Sequence, residues 1–167
     1  EANLVTQLQD LENTKTFEIS HPKADKGSVK ISFFGTIDFG RIGEPRLTED
    51  EVLLVASPSD IFATKLKVII QRPSTKDYVD IIRLIKNDES LVEALGAASV
   101  FFGTDFSPML SLRALSYYYD LLPPLSPSDS SFLKRQVSEA LRSLSIKGLE
   151  KPALASANLS SKEVKNL

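Results

Sequence analysis

The hydrophobic residues of the first part of the chain follow two different spacings. In the first dozen residues they recur as on one face of a helix: Leu4, Val5, Leu8 and Leu11. This spacing predicts that the chain opens with the end of an amphipathic helix. Residues 14–19 and 28–34 instead alternate between apolar and polar, which predicts two strands joined by a hairpin turn. The second strand would direct every other side chain to the core: Val29, Ile31 and Phe33.

From residue 57 the pattern becomes helical. Ser57 is a typical N-cap residue, Pro58 suits the first helical position, and Asp60 stands where it would close a capping box. A helix is therefore expected to about Gln71, and Pro73 ends it. The next segment repeats apolar residues at helical intervals: Tyr78, Ile81, Ile82 and Ile85. These two helices should form a helical hairpin.

The remaining pattern completes a mixed set of elements. A short apolar strand is predicted at 52–56, and further helices at 90–98, 107–122 and 129–144. We therefore expect an α+β fold, in which a small mixed β-sheet from the N-terminal third packs against a mostly helical C-terminal part.

The length of 167 residues favours one domain. We place it at residues 1–145, with a β-rich part at 1–56 and a helical part at 57–145. Residues 146–167 are rich in Ser, Lys and Ala without a stable period, which predicts a loose tail.

Composition excludes several classes of function. The chain has no cysteine and a single histidine, His21, which rules out disulfides, thiolate catalysis, Cys-type zinc sites and His-based catalytic triads. The net charge is −2 without a broad basic face, so any bound anion should be met locally. No apolar run approaches the roughly 18 residues of a membrane span, and no secretion signal opens the chain. We expect a cytoplasmic protein without membrane contact.

Four charged residues stand out on the predicted hairpin. A helical wheel places Lys65 in the middle of the apolar face of the first helix, and Arg72 returns to the same stripe. On the second helix, Asp77 falls inside the apolar arc and Asp80 just outside it. The two cations can then face the two carboxylates across the hairpin. One interpretation is a structural ion pair, and the other is a cleft that binds polyphosphate and moves a proton.

Three consecutive tyrosines, Tyr117 to Tyr119, allow a similar choice. Their rings could stack on nucleic-acid bases. Successive residues of a helix point in three directions, which favours core and groove filling instead.

Three segments together resemble the AbiEii/AbiGii toxin family of abortive-infection nucleotidyltransferases. They are VKISFF (29–34), VASPSDIFATKLKVIIQRPSTKDYVDIIRLI (55–85) and LRALSYYYD (112–120). The family pattern of Asp, four residues, Lys and a hydrophobic residue is matched by Asp60, Lys65 and Leu66. An Arg before a basic-Asp-x-x-Asp helix is matched by Arg72, Lys76, Asp77 and Asp80. The resemblance extends over roughly residues 4–144.

The resemblance implies a DNA polymerase β-like fold and the transfer of a nucleotide from a nucleoside triphosphate (NTP) to an RNA or protein acceptor, with Mg²⁺. It also implies a toxin–antitoxin or phage-defence setting with a cognate antitoxin. Carried onto this chain, it assigns catalysis to Lys65, Asp77 and Asp80, and nucleotide binding to Lys65, Arg72 and Lys76.

One family element is missing from the sequence. Family members hold their metal with an Asp-x-Asp pair after a Gly-Gly or Gly-Ser turn, and no such combination occurs in these residues. We therefore identify no metal ligand and expect the chain to be inactive by itself. It is either a truncated portion, which its start at Glu1 within a predicted helix favours, or a non-catalytic remnant. A remnant would serve as a protein-interaction module in which the Lys/Asp cluster is a structural ion pair.

Overall fold

The structure, a computed structural model, describes residues 4–20, 27–35 and 40–149, so that His21 lies outside the described residues. Within these residues it has five strands: β1 Leu4–Leu11, β2 Thr14–Ser20, β3 Ser28–Phe34, β4 Arg46–Leu47 and β5 Leu54–Val55. The described part of the chain also forms five α-helices: α1 Pro58–Gln71, α2 Thr75–Lys86, α3 Leu91–Phe102, α4 Pro108–Ser116 and α5 Pro127–Leu149. The predicted α+β class is confirmed.

The chain divides into two compact units, Glu1–Gly40 and Arg41–Leu167. The expected single domain of residues 1–145 stays a prediction. None of the helices in the described ranges combines the length and the apolar character that crossing a membrane would need.

The first unit contains a three-stranded sheet in the order β1-β2-β3. The prediction of an opening helix is wrong, because residues 4–11 pair with β2 as a strand. The register shifts between Gln7 and Gln9, and such a bulge breaks the alternation of apolar residues, which produced the misleading helical spacing. Both strand pairs are antiparallel, where a mixed sheet was expected, since a two-residue turn such as that between β1 and β2 can join only antiparallel strands.

One face of this sheet carries the apolar residues predicted for the core. Phe17 lies opposite Ile31, and Ile19 lies opposite Val29. The rings of Phe17 and Phe33 meet edge to face with centroids 6.0 Å apart. The shared face is therefore as predicted, but the burial is not, because Val29 is 62% exposed and Phe33 59% exposed.

The second unit begins with a β4–β5 ribbon and continues into the helices. The ribbon is antiparallel; its first strand lies where no element was predicted, and its second strand is shorter than the predicted 52–56. Serine hydroxyls cap α1, α3, α4 and α5 by accepting backbone N–H bonds, at Ser57, Ser90, Ser107 and Ser126. The core draws large buried side chains from each helix: Phe62, Leu66, Tyr78, Ile81, Leu95, Leu112, Leu115 and Leu133.

Three helix ends differ from prediction. Helix α3 continues to Phe102 rather than residue 98. Helix α4 ends at Ser116 rather than residue 122, because the backbone of Tyr117 leaves the helical conformation (φ −121°, ψ 88°). Helix α5 continues to Leu149, so the predicted tail cannot begin at residue 146; no proline interrupts 146–149. The rest of the predicted tail, 150–167, lies outside the described residues.

Candidate functional site

The helical hairpin brings together three of the predicted charged residues. The Lys65 Nζ atom donates to Asp77 Oδ1 at 2.7 Å and to Asp80 Oδ2 at 2.8 Å. The turn that contains Pro73 separates α1 from α2 by only three residues, which makes the helices antiparallel neighbours. The predicted contact of Lys65 with both carboxylates is thus present. We call Lys65, Asp77 and Asp80 the charged cluster.

The cluster runs from the interior of the hairpin to its surface. The side chains of Asp77, Lys65 and Asp80 are 9%, 26% and 39% exposed, respectively. Asp77 is therefore buried and Asp80 half-buried, in the order that the helical wheel predicts. Lys65, however, lies at the edge of the buried face of α1 and not in its middle. The residues that α1 buries are centred about a quarter of a turn away from Lys65 around the helix axis: Phe62, Ala63, Leu66 and Ile69.

Lys65 is held firmly as a cation. Burial lowers its pKa, but the hydrogen bonds and charges of Asp77 and Asp80 outweigh burial, and the net pKa is raised. Two of the three ammonium N–H groups serve these carboxylates, which leaves one donor. Arg83 Nη1 lies 4.0 Å from Asp80 Oδ1. With this second cation, the group of four residues carries no net charge.

Arg72 and Lys76 do not join the cluster. The expectation that Arg72 faces Asp77 or Asp80 is wrong, and Arg83 lies near Asp80 instead. Arg72 is the C-cap of α1, and its extended backbone (φ −147°, ψ 98°) takes it off the helical stripe. Arg72 and Lys76 are both exposed, and no carboxylate of the described ranges forms an ion pair with either. Their predicted role in nucleotide binding stays a prediction.

Asp60 has a role that the sequence only partly indicated. Its backbone N–H donates to Ser57 Oγ at 3.1 Å, as the helix start predicts. Its carboxylate also accepts backbone N–H bonds from Ile42 at 2.8 Å and Gly43 at 3.3 Å. Burial raises the pKa of Asp60, but these bonds and those with Ser57 outweigh burial, and the net pKa is lowered. Asp60 thereby fastens the segment before β4 to the start of α1.

That attachment requires a glycine at position 43. A Cβ atom placed on Gly43 would lie 2.2 Å from Ser57 Oγ and 2.4 Å from Ser57 Cβ. The segment therefore approaches the helix start too closely for any other residue without a shift. Gly43 and Ser57 are fourteen positions apart in the sequence, so no local sequence pattern predicts their contact.

The described residues do not fit a Mg²⁺ site. No group of three or more His, Cys, Asp or Glu side chains within the described ranges could hold a metal ion. Asp77 and Asp80 both bond to Lys65. A cation competes with a metal for these oxygens, so we assign neither carboxylate as a metal ligand.

Comparison with known families agrees with the motifs on α1 and α2. The family model for the nucleotidyl transferase AbiEii toxin of type IV toxin–antitoxin systems matches residues 6–155. Comparison with curated proteins and with solved structures gives no significant match. The family match spans most of the 167 residues and includes the whole hairpin. The chain belongs to the AbiEii nucleotidyl transferase toxin family.

Proposed function

We propose that this chain contributes the charged cluster to a site that transfers a nucleotide from an NTP to an acceptor. The observation that carries the proposal is the position of Lys65, which lies in the family-matched hairpin between a buried and a half-buried carboxylate. A cation fixed by two carboxylates keeps a defined position, which is what binding of a phosphate group demands.

The exposures of the three side chains suggest different roles. Lys65 is partly exposed and has one N–H left, which it would donate to a phosphate oxygen of the NTP. Asp80 is the more exposed carboxylate and would accept the proton of the attacking acceptor group. Asp77 is buried beneath them and acts as a positioning residue that orients the Lys65 ammonium.

The family resemblance also implies Mg²⁺, which would neutralise phosphate charge when bound. The Asp-x-Asp pair that holds it in the family does not occur in this sequence, so the 167 residues alone should not catalyse the transfer. We further propose that the acceptor is RNA or protein, that a cognate antitoxin is a partner, and that the protein acts in the cytoplasm in phage defence.

The competing function is a non-catalytic interaction module. In its favour, Lys65 already has two carboxylate partners, and with Arg83 the group carries no net charge. A paired, neutral arrangement is what a structural ion pair requires. The two functions differ in whether Lys65 contacts a substrate.

Nucleotide labelling separates the two functions. The gene product that contains this chain would be incubated with each radiolabelled NTP and with pools of RNA and protein. We expect Lys65→Ala to reduce labelling by about 100-fold or more, the usual effect of removing one donor that stabilises developing charge. Lys134→Ala, at an exposed lysine of α5, is the matched control and should label normally. Normal labelling by Lys65→Ala protein with an unchanged circular dichroism spectrum would refute the role of Lys65, and absence of labelling by the folded parent protein would favour the interaction module.

A further inference from the structure

A cleft between α1, α2 and α4 lies among residues that the charged cluster does not use. Its volume is about 340 Å³, within the range of small-molecule sites. Ile69, Ile70 and Pro73 form apolar walls, and Arg113 and Tyr117 add polar groups. The lining contains one cation and no carboxylate.

Arg113 is an unsatisfied cation at this cleft. It is exposed, and within the described ranges it has no carboxylate, hydrogen-bond or aromatic partner. Lys65, in contrast, has two carboxylates. A guanidinium group at the edge of an apolar cleft binds anions well, because its flat donor array matches phosphate oxygens and it is less strongly hydrated than an ammonium group.

Tyr117 supplies an aromatic surface beside this cation. It lies just after α4 and is 67% exposed, whereas Tyr118 is buried and donates its hydroxyl to Ser130 O. The Tyr117 ring packs edge to face against the Tyr119 ring, with a centroid distance of 5.7 Å and an interplanar angle of 82°, and this contact helps to hold it in place. Core filling thus applies to Tyr118 but not to Tyr117, whose ring remains open to stacking.

The other tyrosine of the cleft offers no free donor. The Tyr78 hydroxyl donates to Ala114 O at 2.9 Å, and burial raises the pKa of Tyr78 to about 12. Tyr78 therefore stays neutral and contributes apolar wall. The chemistry that this cleft can recognise is a flat, largely apolar ring that carries an anionic group.

We infer that the cleft between α1, α2 and α4 is a nucleotide subsite, in which Tyr117 stacks on the base and Arg113 binds a phosphate. This inference rests on the proposed function for the choice of a nucleotide among ring-bearing anions. The nucleotide could be the free NTP or a nucleotide unit of a nucleic-acid acceptor, since both present the same ring and phosphate.

Calorimetric titration of the 167-residue chain tests the subsite. The probes are the four NTPs, the matching nucleosides, inorganic tripolyphosphate and a short single-stranded RNA. The variants are Tyr117→Ala and Arg113→Gln, with Arg142→Gln as the control at another exposed arginine without a described partner. Because Tyr117 and Arg113 are both exposed, the variants should keep the helical circular dichroism spectrum. If Tyr117→Ala alters it, Tyr117→Phe replaces that variant and must retain nucleotide binding.

We expect each of the two variants to weaken binding of the preferred NTP by about tenfold. Nucleoside affinity should fall only in Tyr117→Ala, and tripolyphosphate affinity only in Arg113→Gln, whereas Arg142→Gln should change none of them. Tighter binding of the RNA than of any NTP, with the same dependence on both residues, would support the subsite and identify the acceptor as its source.

Three results would overturn the subsite: no NTP or RNA binding, affinities within about twofold of the parent in both variants, or tripolyphosphate binding as tight as NTP binding. If calorimetry detects no nucleotide binding while labelling still depends on Lys65, the subsite is refuted and the proposed function is not. Lys65-independent labelling with a positive titration would refute the role of Lys65 and leave the subsite standing.

Discussion

Removal of the Lys65 ammonium is the sharpest test of the charged cluster. Lys65→Met keeps an unbranched apolar stem and deletes the charge, so the buried Asp77 carboxylate loses its described ion-pair partner. Loss of one partner of a fully buried pair costs about 3–5 kcal/mol. Lys65 is 26% exposed, so water can reach part of the site. We therefore expect the free energy of unfolding to fall by about 2–3 kcal/mol.

A double-mutant cycle isolates the Lys65–Asp77 contact. Asp77→Asn removes the buried charge, so Lys65→Met should cost less in that background, with a coupling energy of about 1–2 kcal/mol. Asp80→Asn should cost less than about 1 kcal/mol, because Asp80 is half-buried and its ion pairs are solvated. Urea denaturation followed by circular dichroism at 222 nm measures all these values, since the cluster lies in the helical unit. A parental unfolding midpoint for Lys65→Met, or strict additivity with Asp77→Asn, would contradict the assigned contact.

The same pair has a defined pH dependence. Folding raises the pKa of Lys65, so its contribution is fully present below the unfolded value of 10.5 and is lost as the pH rises through the folded value above it. The stability difference between the parent and Lys65→Met should therefore be constant near neutral pH and shrink only above pH 10.5.

Two further predictions concern the segment fastened to the start of α1. Gly43→Ala places a Cβ atom 2.2 Å from Ser57 Oγ and should lower the free energy of unfolding by about 1–3 kcal/mol, which thermal melts would detect. Gly40→Ala is the control and should be neutral, because no atom lies within 4 Å of its added Cβ. Equal melting temperatures of the two variants would show that the segment moves to accommodate the Cβ atom at position 43. Asp60→Asn should cost about 1–2 kcal/mol at pH 7. Because folding lowers the pKa of Asp60, this difference should be present above the unfolded value of 3.8 and disappear as the pH falls below it, and a difference that persists in acid would contradict the assignment.

Local chemistry explains which elements the sequence predicts. Ser57, Pro58 and Pro73 act within one helical turn of their own positions, so the start and end of α1 follow directly from them. The bulge in β1 depends instead on pairing with β2, and it disguises a strand as a helix. Burial of the sheet face is also a tertiary property, which explains why the alternation in β3 gave the correct face and the wrong exposure.

The candidate site likewise has parts that local chemistry predicts and parts that depend on tertiary contacts. Helix phase and a short turn fix the meeting of Lys65 with Asp77, so a wheel diagram finds it. The position of Arg72 could not be predicted, because a residue at the end of a helix need not keep helical dihedral angles. The cleft forms only when α4 packs against α1 and α2, which brings together residues more than 30 positions apart. Periodicity along the chain does not predict such a contact.

Together, the two sites suggest how a polyanionic substrate would approach. The charged cluster and Arg83 together carry no net charge and exert little long-range attraction, so Lys65 is poorly suited to draw an NTP from solution. Arg113, Arg72 and Lys76 have no described counter-ion and are better suited to the first encounter. Lys65 would then exchange the half-buried Asp80 for a phosphate oxygen, while the buried Asp77 keeps it in place. Such an exchange would release Asp80 as a base only when the substrate is bound, which ties proton transfer to nucleotide binding.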